Sequence, residues 1–196
     1  RKIEYISNLP EEERNEIDIV SRVIPFKTNN YVVDNLISWA NVPDDPMFKL
    51  TFPQKEMLLP DDYEKMKLVI RNGADKQKIK EAANEIRLRL NPHPAGQLEY
   101  NVPMIEGEKL YGMQHKYRET VLFFPSQGQT CHAYCTFCFR WPQFVGIEEL
   151  KFAMKETELL VDYLIVHPEA TDLLFTGGDP MIMNFRVFEK YIEPIL

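Results

Sequence analysis

The chain has 196 residues, of which 44% are hydrophobic and 27% are charged, and its net charge is −7. This balance is typical of a globular protein, and the acidic charge argues against a non-specific nucleic-acid partner, which would need a basic face. No apolar run approaches the roughly 20 residues of a membrane span, and the first residues lack the apolar core of a signal peptide. We therefore expect a cytoplasmic protein with neither nucleic-acid nor membrane partners.

The first 96 residues predict a helical region. Apolar residues recur at helical spacing in four segments, at residues 10–24, 31–39, 61–73 and 75–90. Pro25 follows the first segment and Gly73 closes the third, as expected of residues that stop or cap a helix. The apolar stripes predict helices that face a core, and we assign them no chemistry.

A proline-rich segment at residues 91–103 changes the pattern, and we place a domain boundary at residue 96. Beyond it, strand and helix patterns alternate, with strands at residues 120–126 and 171–180 and helices at residues 146–167 and 185–196. This order predicts an α/β fold over residues 97–196, with a parallel sheet covered by helices. Two parallel strands leave both sheet edges open, so we expect the chain to be the front part of a longer protein.

All the cysteines of the chain, Cys131, Cys135 and Cys138, lie in one short loop after the first strand. We expect a reducing compartment, in which such thiols bind metal or do redox chemistry rather than form disulfides. A zinc site would need a fourth ligand. His132 adjoins Cys131, but neighbouring side chains point apart, so a zinc site completed by His115 is the form that stays open. A redox pair at Cys135 and Cys138 would leave Cys131 unexplained. The remaining alternative is a [4Fe–4S] cluster on three thiolates, which leaves one iron open to a substrate or cosubstrate.

A glycine-rich turn, FTGGDP at residues 175–180, ends the second strand. Gly177 and Gly178 lack side chains, so the backbone there can approach a ligand closely. Asp179 can accept hydrogen bonds from an ammonium group. Because parallel strands end at the same edge of a sheet, this turn and the cysteine loop are expected to meet there.

The cysteine spacing, with an aromatic residue before the last cysteine, resembles the signature of radical S-adenosylmethionine (SAM) enzymes, and the glycine turn resembles their SAM-binding motif. Residues 44–58 and 115–140 are similar to the lysine 2,3-aminomutase family, and the similarity covers most of residues 44–180. The resemblance implies a TIM-like (β/α)6 radical SAM barrel, of which only the first βα units are present, preceded by the helical region.

The resemblance also implies an activity. In this family a [4Fe–4S] cluster cleaves SAM to a 5′-deoxyadenosyl radical, which takes a hydrogen from an amino acid held on pyridoxal 5′-phosphate (PLP). The amino group then migrates to the neighbouring carbon. The chain would accordingly be an isomerase, an intramolecular aminomutase for lysine or a related amino acid. Its implied partners are the amino-acid substrate, a reductant such as flavodoxin or ferredoxin, and further copies of itself in a homo-oligomer.

Roles can be carried over to the residues that match the family's motifs. The implied ligands of the cluster are Cys131, Cys135 and Cys138, and the implied contacts of SAM are Phe137, Gly177, Gly178 and Asp179. Arg140 matches the arginine that pairs with the substrate carboxylate, a contact that suits a planar guanidinium. Lys116 and Tyr117 match a basic residue facing PLP and the aromatic residue after it.

Departures from the family pattern leave alternatives open. Arginine is usual where this chain has Lys116, and the arginine-rich run after the cluster is reduced to Arg140. The lysine that would hold PLP lies in the family's C-terminal half, beyond residue 196. A related radical SAM enzyme that lacks PLP or acts on a protein lysine is therefore one alternative, and a non-enzymatic protein with a structural zinc site is another.

Overall fold

A computed structural model describes residues 3–90, 96, 98–147 and 151–196. The chain falls into two compact units. The first comprises Arg1–Pro92 together with Ala133–Trp141, and the second comprises His93–His132 and Pro142–Leu196. The chain therefore leaves the second unit and returns to it within the cysteine loop. No helix among the described residues is long and apolar enough to cross a membrane.

The first unit is helical. Its α-helices are α1 (Glu4–Ser7), α2 (Glu11–Val23), α3 (Pro46–Thr51), α4 (Pro60–Arg71) and α5 (Lys76–Leu90), and a short π-helix spans Val32–Leu36. Helices α2, α4 and α5 bury their apolar stripes against one another around a core that includes Val20, Val23, Met66, Ala83 and Ile86. Full burial of a Val, Ile or Met side chain contributes about 1.5–3 kcal/mol, and a second core of the same unit includes Phe48 and Phe52.

Arg87 of α5 closes the carboxyl end of α2. Its Nε donates a hydrogen bond to the carbonyl of Val23 at 2.7 Å, and one terminal nitrogen donates to the carbonyl of Arg22 at 3.0 Å. The last carbonyls of a helix lack partners within that helix, so these bonds satisfy groups that water would otherwise have to reach. Burial lowers the pKa of Arg87 from its ordinary value.

The segment Ala133–Trp141 packs on the first unit. The amide of Tyr134 donates to the carbonyl of Lys27, and the amide of Thr136 donates to the carbonyl of Leu50, both at 2.8 Å. The hydroxyl of Thr136 also donates to the carbonyl of Lys49 at 2.9 Å. These bonds fix the backbone between Cys135 and its neighbours to the helical unit.

The second unit contains two small sheets. A hairpin joins β1 (Met104–Ile105) and β2 (Glu108–Lys109), and a three-stranded sheet has the order β3–β4–β5, with strands β3 (Met113–Tyr117), β4 (Thr120–Phe123) and β5 (Asp172–Phe175). Strand β3 pairs with β4 antiparallel, whereas β4 and β5 are parallel, with Phe123 opposite Phe175. Helices α6 (Thr157–Val166) and α7 (Phe185–Ile192) follow the cysteine loop and β5, respectively.

Aromatic side chains form much of the core of this unit. Phe123 is fully buried, and its ring lies 5.5 Å from the rings of both Phe175 and Tyr191. The Tyr191 hydroxyl in turn donates to the side-chain oxygen of Gln127 in the loop after β4. The core therefore anchors both parallel strands and the start of the loop that leads to the cysteines.

The helices predicted over residues 10–24, 61–73 and 75–90 are confirmed, and the two predicted strands lie within their segments with parallel pairing, as expected. The α/β class is confirmed. The described residues form no closed barrel, and the partial barrel remains a prediction. Strand β3, which makes the sheet mixed rather than wholly parallel, was not foreseen.

The helix predicted over residues 146–167 is wrong over residues 151–156, and residues 148–150 lie outside the described ranges. Helix α6 begins only at Thr157, and Met154 instead forms a parallel bridge to Pro125. The Met154 amide donates to the carbonyl of Phe124, and its carbonyl accepts from the amide of Ser126, both at 2.9 Å. Sheet hydrogen bonds thus override the helical spacing of this segment. Residue Leu150, part of the same prediction, lies outside the described residues.

Candidate cofactor site

Two loops of the second unit meet at one edge of its sheet. Strands β4 and β5 run parallel, so their carboxyl ends lie side by side. The loop after β4 leads through a 3-10 turn at Ser126–Gly128 to Cys131, and the loop after β5 is the glycine turn. The meeting expected from strand order is confirmed for these two loops, because hydrogen bonds join them directly.

The joining bonds come from both backbone and side chains. The amide of Asp179 donates to the carbonyl of Thr130 at 2.7 Å, one residue before Cys131. The Asp179 carboxylate accepts a hydrogen bond from Nδ1 of His132 at 2.8 Å. The side-chain nitrogen of Gln129 donates to the carbonyl of Thr176 at 3.3 Å. Three residues of the first loop, Gln129, Thr130 and His132, therefore hold the second.

The glycines of the turn are required by this packing. Gly177 has φ +118°, a value that side-chain-bearing residues rarely adopt, and a Cβ there would lie 2.7 Å from the Gln129 carboxamide carbon. A Cβ on Gly178 would lie 2.5 Å from the amide nitrogen of Thr130. The close approach that the glycines allow in this structure is thus to the protein's own loop.

Asp179 is held through both of its carboxylate oxygens. Oδ2 is paired with His132, and Oδ1 accepts a hydrogen bond from the amide of Met181 at 3.0 Å, which caps the 3-10 turn Pro180–Ile182. The side chain is still 35% exposed. Because each carboxylate oxygen can accept a second hydrogen bond, the group retains acceptor capacity in a fixed orientation.

The cysteines are divided between the units. Cys131 belongs to the second unit, whereas Cys135 and Cys138 belong to the segment that packs on the first. None of them forms a disulfide, and the Cys138 amide donates to the carbonyl of Cys135 at 3.1 Å in a tight turn. Within the described ranges, no three His, Cys, Asp or Glu side chains gather in a geometry that could hold a metal ion.

Burial raises the pKa of the Cys138 thiol above its ordinary value, and the nearby Cys135 acts in the same direction. The backbone amide and the charge of Arg140 oppose this shift, but burial is the larger effect. Arg140 itself is only 9% exposed, and burial lowers its pKa to about 10. A buried guanidinium beside a thiol stabilises negative charge there, whether on a thiolate or on an incoming anion.

The aromatic residues beside the last cysteine are exposed. Phe137 is 77% exposed and Phe139 is 63% exposed. The Arg140 guanidinium lies 5.2 Å from the centre of the Phe139 ring, within the range of a cation–π interaction. The apolar rings therefore line the surface of the cysteine loop within the first unit, rather than its core.

Lys116 and Tyr117 end strand β3. Both side chains are exposed, and the Lys116 ammonium lies 5.2 Å from the centre of the Tyr117 ring. An exposed ammonium of this kind can meet a phosphate as a point charge. The structure brings these two residues together at the end of β3.

His115, the residue considered as a fourth zinc ligand, has other partners. Its Nδ1 is hydrogen-bonded to the Tyr163 hydroxyl at 2.7 Å, and its Nε2 donates to the carbonyl oxygen of Arg118 at 3.1 Å, because a carbonyl can only accept. Since Nε2 carries that proton, a neutral ring accepts from Tyr163 at Nδ1. His132 likewise uses Nδ1 for Asp179. Neither pairing was evident from the sequence, because the partners are 48 and 47 residues apart.

Several proteins of known name are similar to the chain. "Putative L-lysine 2,3-aminomutase" of Aquifex aeolicus is 30% identical over 193 residues, which cover 98% of this chain and 41% of that protein. L-lysine 2,3-aminomutase of Methanococcus maripaludis is 22% identical over 185 residues, or 94% of this chain and 34% of that protein. The Haemophilus influenzae protein of the same name is 35% identical over 68 residues, or 35% of this chain and 19% of its own length.

The chain thus spans less than half the length of these relatives. No family model matches the chain, and no solved structure matches it.

Proposed function

We propose that the chain, as a member of the lysine 2,3-aminomutase family, is part of a radical SAM enzyme that cleaves SAM reductively at a [4Fe–4S] cluster. The observation that carries this proposal is the hydrogen bond from the Asp179 amide to the Thr130 carbonyl. That bond brings the glycine turn to the residue before Cys131, at the carboxyl ends of two parallel strands. Ligand sites of α/β proteins lie at such strand ends.

The chemistry of the donor set fits the cluster. Cys131, Cys135 and Cys138 would hold it, and thiolates are the ligands that iron–sulfur clusters use. Three thiolates leave one iron without a protein ligand, and when bound such a cluster supplies the electron that breaks a carbon–sulfur bond of SAM. Burial disfavours the charged form of the Cys138 thiol and raises its pKa, and the Arg140 backbone amide and guanidinium partly offset this towards the thiolate, the form that binds iron.

The glycine turn would receive the amino end of SAM. Asp179 presents a partly exposed carboxylate whose orientation is fixed by His132 and Met181, and a carboxylate can accept hydrogen bonds from an ammonium group. Phe137, exposed beside the last cysteine, would offer an apolar contact. These assignments rest on the motif match and on the acceptor capacity that Asp179 retains.

Arg140 would pair with the carboxylate of an amino-acid substrate. Its guanidinium is largely buried and its pKa is lowered to about 10 by burial, so an anion that reached it would be bound in a poorly solvated environment. Charge-assisted bonds of this kind are stronger than neutral ones. The proposed substrate is lysine or a related amino acid, and a reductant such as flavodoxin or ferredoxin would deliver the electron.

The finer proposal is a 2,3-aminomutase reaction that depends on PLP. Lys116 and Tyr117 would face the cofactor, with the exposed Lys116 ammonium opposite its phosphate. The second candidate is a radical SAM enzyme of the same family without PLP, favoured by the replacement of the usual arginine by Lys116. Purified full-length protein separates the two, because only the first would carry the absorption of bound pyridoxal and lose it after reduction with borohydride.

The central test is anaerobic reconstitution with iron and sulfide. We expect about four irons per chain, bound SAM, and 5′-deoxyadenosine as a product after reduction with dithionite. Replacement of each cysteine by alanine should abolish iron uptake, whereas Thr136→Ser in the same loop should retain it, since serine keeps the hydroxyl that bonds the Lys49 carbonyl. A colourless protein that binds one zinc would contradict the proposal.

A further inference from the structure

His132 has no place in the cysteine pattern, yet it makes the most direct side-chain contact between the two loops. Its Nδ1 lies 2.8 Å from Oδ2 of Asp179. A carboxylate can only accept, so Nδ1 carries the proton and the ring donates to Asp179. Nδ1 therefore carries a proton whether the ring is neutral or positively charged. The His132 side chain is 56% exposed, so nothing in the core demands an imidazole at this position.

The pairing completes the immobilisation of Asp179. The backbone amide of Asp179 is bonded to Thr130, Oδ1 is bonded to the Met181 amide, and Oδ2 is bonded to Nδ1 of His132. A carboxylate with one fixed oxygen can still rotate about that contact. With a donor on each oxygen, its remaining acceptor positions point in one direction.

We propose that His132 is a positioning residue, which holds the Asp179 carboxylate in the orientation that receives the ammonium group of an α-amino acid moiety such as that of SAM. The proposal rests on the proposed function of the glycine turn. His132 itself touches Asp179 and not the ligand. Its effect is preorganisation, since a ligand that meets an already oriented carboxylate need not order it on binding.

The sequence alone could not assign this role. Next to Cys131, His132 is a poor ligand for the same metal ion, because neighbouring side chains point apart. The structure gives its Nδ1 to a residue that is 47 positions away, in the turn that the SAM motif identifies. His132 is also the residue directly after Cys131, the first proposed cluster ligand. The short segment Cys131–His132 therefore carries both that ligand and the side chain that holds Asp179.

The test compares two replacements of His132 in the full-length protein. His132→Ala removes the donor, whereas His132→Asn keeps an N–H near the position of Nδ1 and should restore the bond. In reconstituted protein, we expect His132→Ala to weaken SAM binding about tenfold in equilibrium dialysis, as for the loss of one charge-assisted hydrogen bond. His132→Asn should bind SAM within about threefold of wild type, and the iron content of all three proteins should be equal.

A second measurement does not need the cluster. In apo-protein, hydrogen exchange should accelerate at the amides of Asp179 and Met181 in His132→Ala and remain slow in His132→Asn. The matched control is His167→Ala, which removes another histidine–carboxylate pair of the same unit, with Glu169 at 2.9 Å. That variant should leave both SAM affinity and exchange at the glycine turn unchanged.

The outcomes separate the two proposals. Wild-type protein that binds SAM, with His132→Ala equal to it in affinity and in exchange, would overturn the positioning role and leave the radical SAM function standing. Wild-type protein that takes up no iron–sulfur cluster would overturn the function, whatever the exchange data show. Loss of SAM affinity in His132→Ala with rescue in His132→Asn would support both.

Discussion

Gly178 packs directly against Thr130, so closely that a Cβ on Gly178 would lie 2.5 Å from the Thr130 amide nitrogen and 2.7 Å from the carbonyl oxygen of Gly128. Contacts below 3.0 Å are essentially never made by a real Cβ, and both of these atoms belong to the backbone. No side chain can rotate away to make room. The glycine at position 178 is therefore what allows the two loops of the candidate site to touch.

We accordingly expect Gly178→Ala to separate the loops. The free energy of unfolding should fall by roughly 1–3 kcal/mol, as for other overpacked sites, and hydrogen exchange should accelerate over residues 128–132. The control is Gly73→Ala, where nothing lies within 4 Å of an added Cβ but φ is +67°. Strain at Gly73 should also lower stability, yet leave exchange over residues 128–132 unchanged. If hydrogen exchange over residues 128–132 were the same in Gly178→Ala and Gly73→Ala, the contact between Gly178 and Thr130 would not be what holds the two loops together.

Arg87 should be a major stabilising residue of the helical unit. Arg87→Met keeps much of the apolar stem but removes the bonds to the carbonyls of Val23 and Arg22 at the end of α2. We expect the free energy of unfolding to fall by about 1.5–3 kcal/mol, the usual effect of losing hydrogen bonds from a charged group. Urea denaturation measures this change. Lys80→Met, an exposed position on the same helix, should alter stability by less than about 0.5 kcal/mol.

The contrast between Phe123 and Leu174 tests the sheet assignment. Phe123 is fully buried on β4, whereas Leu174 on β5 is 53% exposed. Phe123→Ala should lower the free energy of unfolding by about 3–5 kcal/mol, because it leaves a cavity among the rings of Phe175 and Tyr191. Leu174→Ala should cost less than about 1 kcal/mol. Similar losses at the two positions would mean that the register of the sheet is wrong.

The parts of the fold that could be read from the sequence are those fixed by local chemistry. Helix α2 ends where Pro25 approaches and α4 ends before Gly73, because a proline or a left-handed glycine stops a helix in any context. The parallel pairing of β4 and β5 followed from the helical segment between them. These features depend on residues that are neighbours in the chain.

The features that escaped prediction depend on distant partners. Met154 has helical spacing with its neighbours, but its backbone is hydrogen-bonded to Phe124 and Ser126, so the segment is extended. The pairing of His132 with Asp179 joins residues on two different loops. The sequence predicted that both loops lie at one edge of the sheet, because parallel strands require it. It did not predict which side chains would meet there.

Glu16 should make stability depend on pH. Burial raises its pKa above the ordinary value of 4.5, and Lys55 only partly offsets this shift. A raised carboxyl pKa means that the folded protein holds the proton more tightly than the unfolded chain. The contribution of Glu16 to stability is therefore greatest below pH 4.5 and falls as the pH rises through the folded pKa.

Glu16→Gln should remove this dependence and increase the free energy of unfolding at pH 7. We expect about 0.3–0.5 kcal/mol, a small figure because solvent screens a partly exposed group. The measurement is urea denaturation at pH 4 and at pH 7, with Glu4→Gln as the exposed control. If Glu16→Gln destabilised the protein at pH 7, the carboxylate would be favourably placed and the assigned cause of the shift would be wrong.

The reactivity of Cys138 gives a direct measure of the environment of the cysteine loop. Burial raises its thiol pKa above the ordinary value of 9.0. Only the thiolate reacts with iodoacetamide, so the alkylation rate of Cys138 should reach half of its maximum at a higher pH in folded apo-protein than in the unfolded chain. Mass spectrometry of the peptide that contains Cys138 follows both reactions.

Arg140 acts against that shift, since its backbone amide and its charge stabilise the thiolate. Arg140→Met should therefore raise the pKa of Cys138 further and slow its alkylation at pH 8, while the backbone contribution is retained. Arg186→Met, on α7 of the other unit, should leave the alkylation profile unchanged. A cysteine must lose its proton to bind iron, so Arg140→Met should also move cluster uptake to higher pH. If the pH profile of cluster uptake were unchanged, the guanidinium would not assist formation of the thiolate.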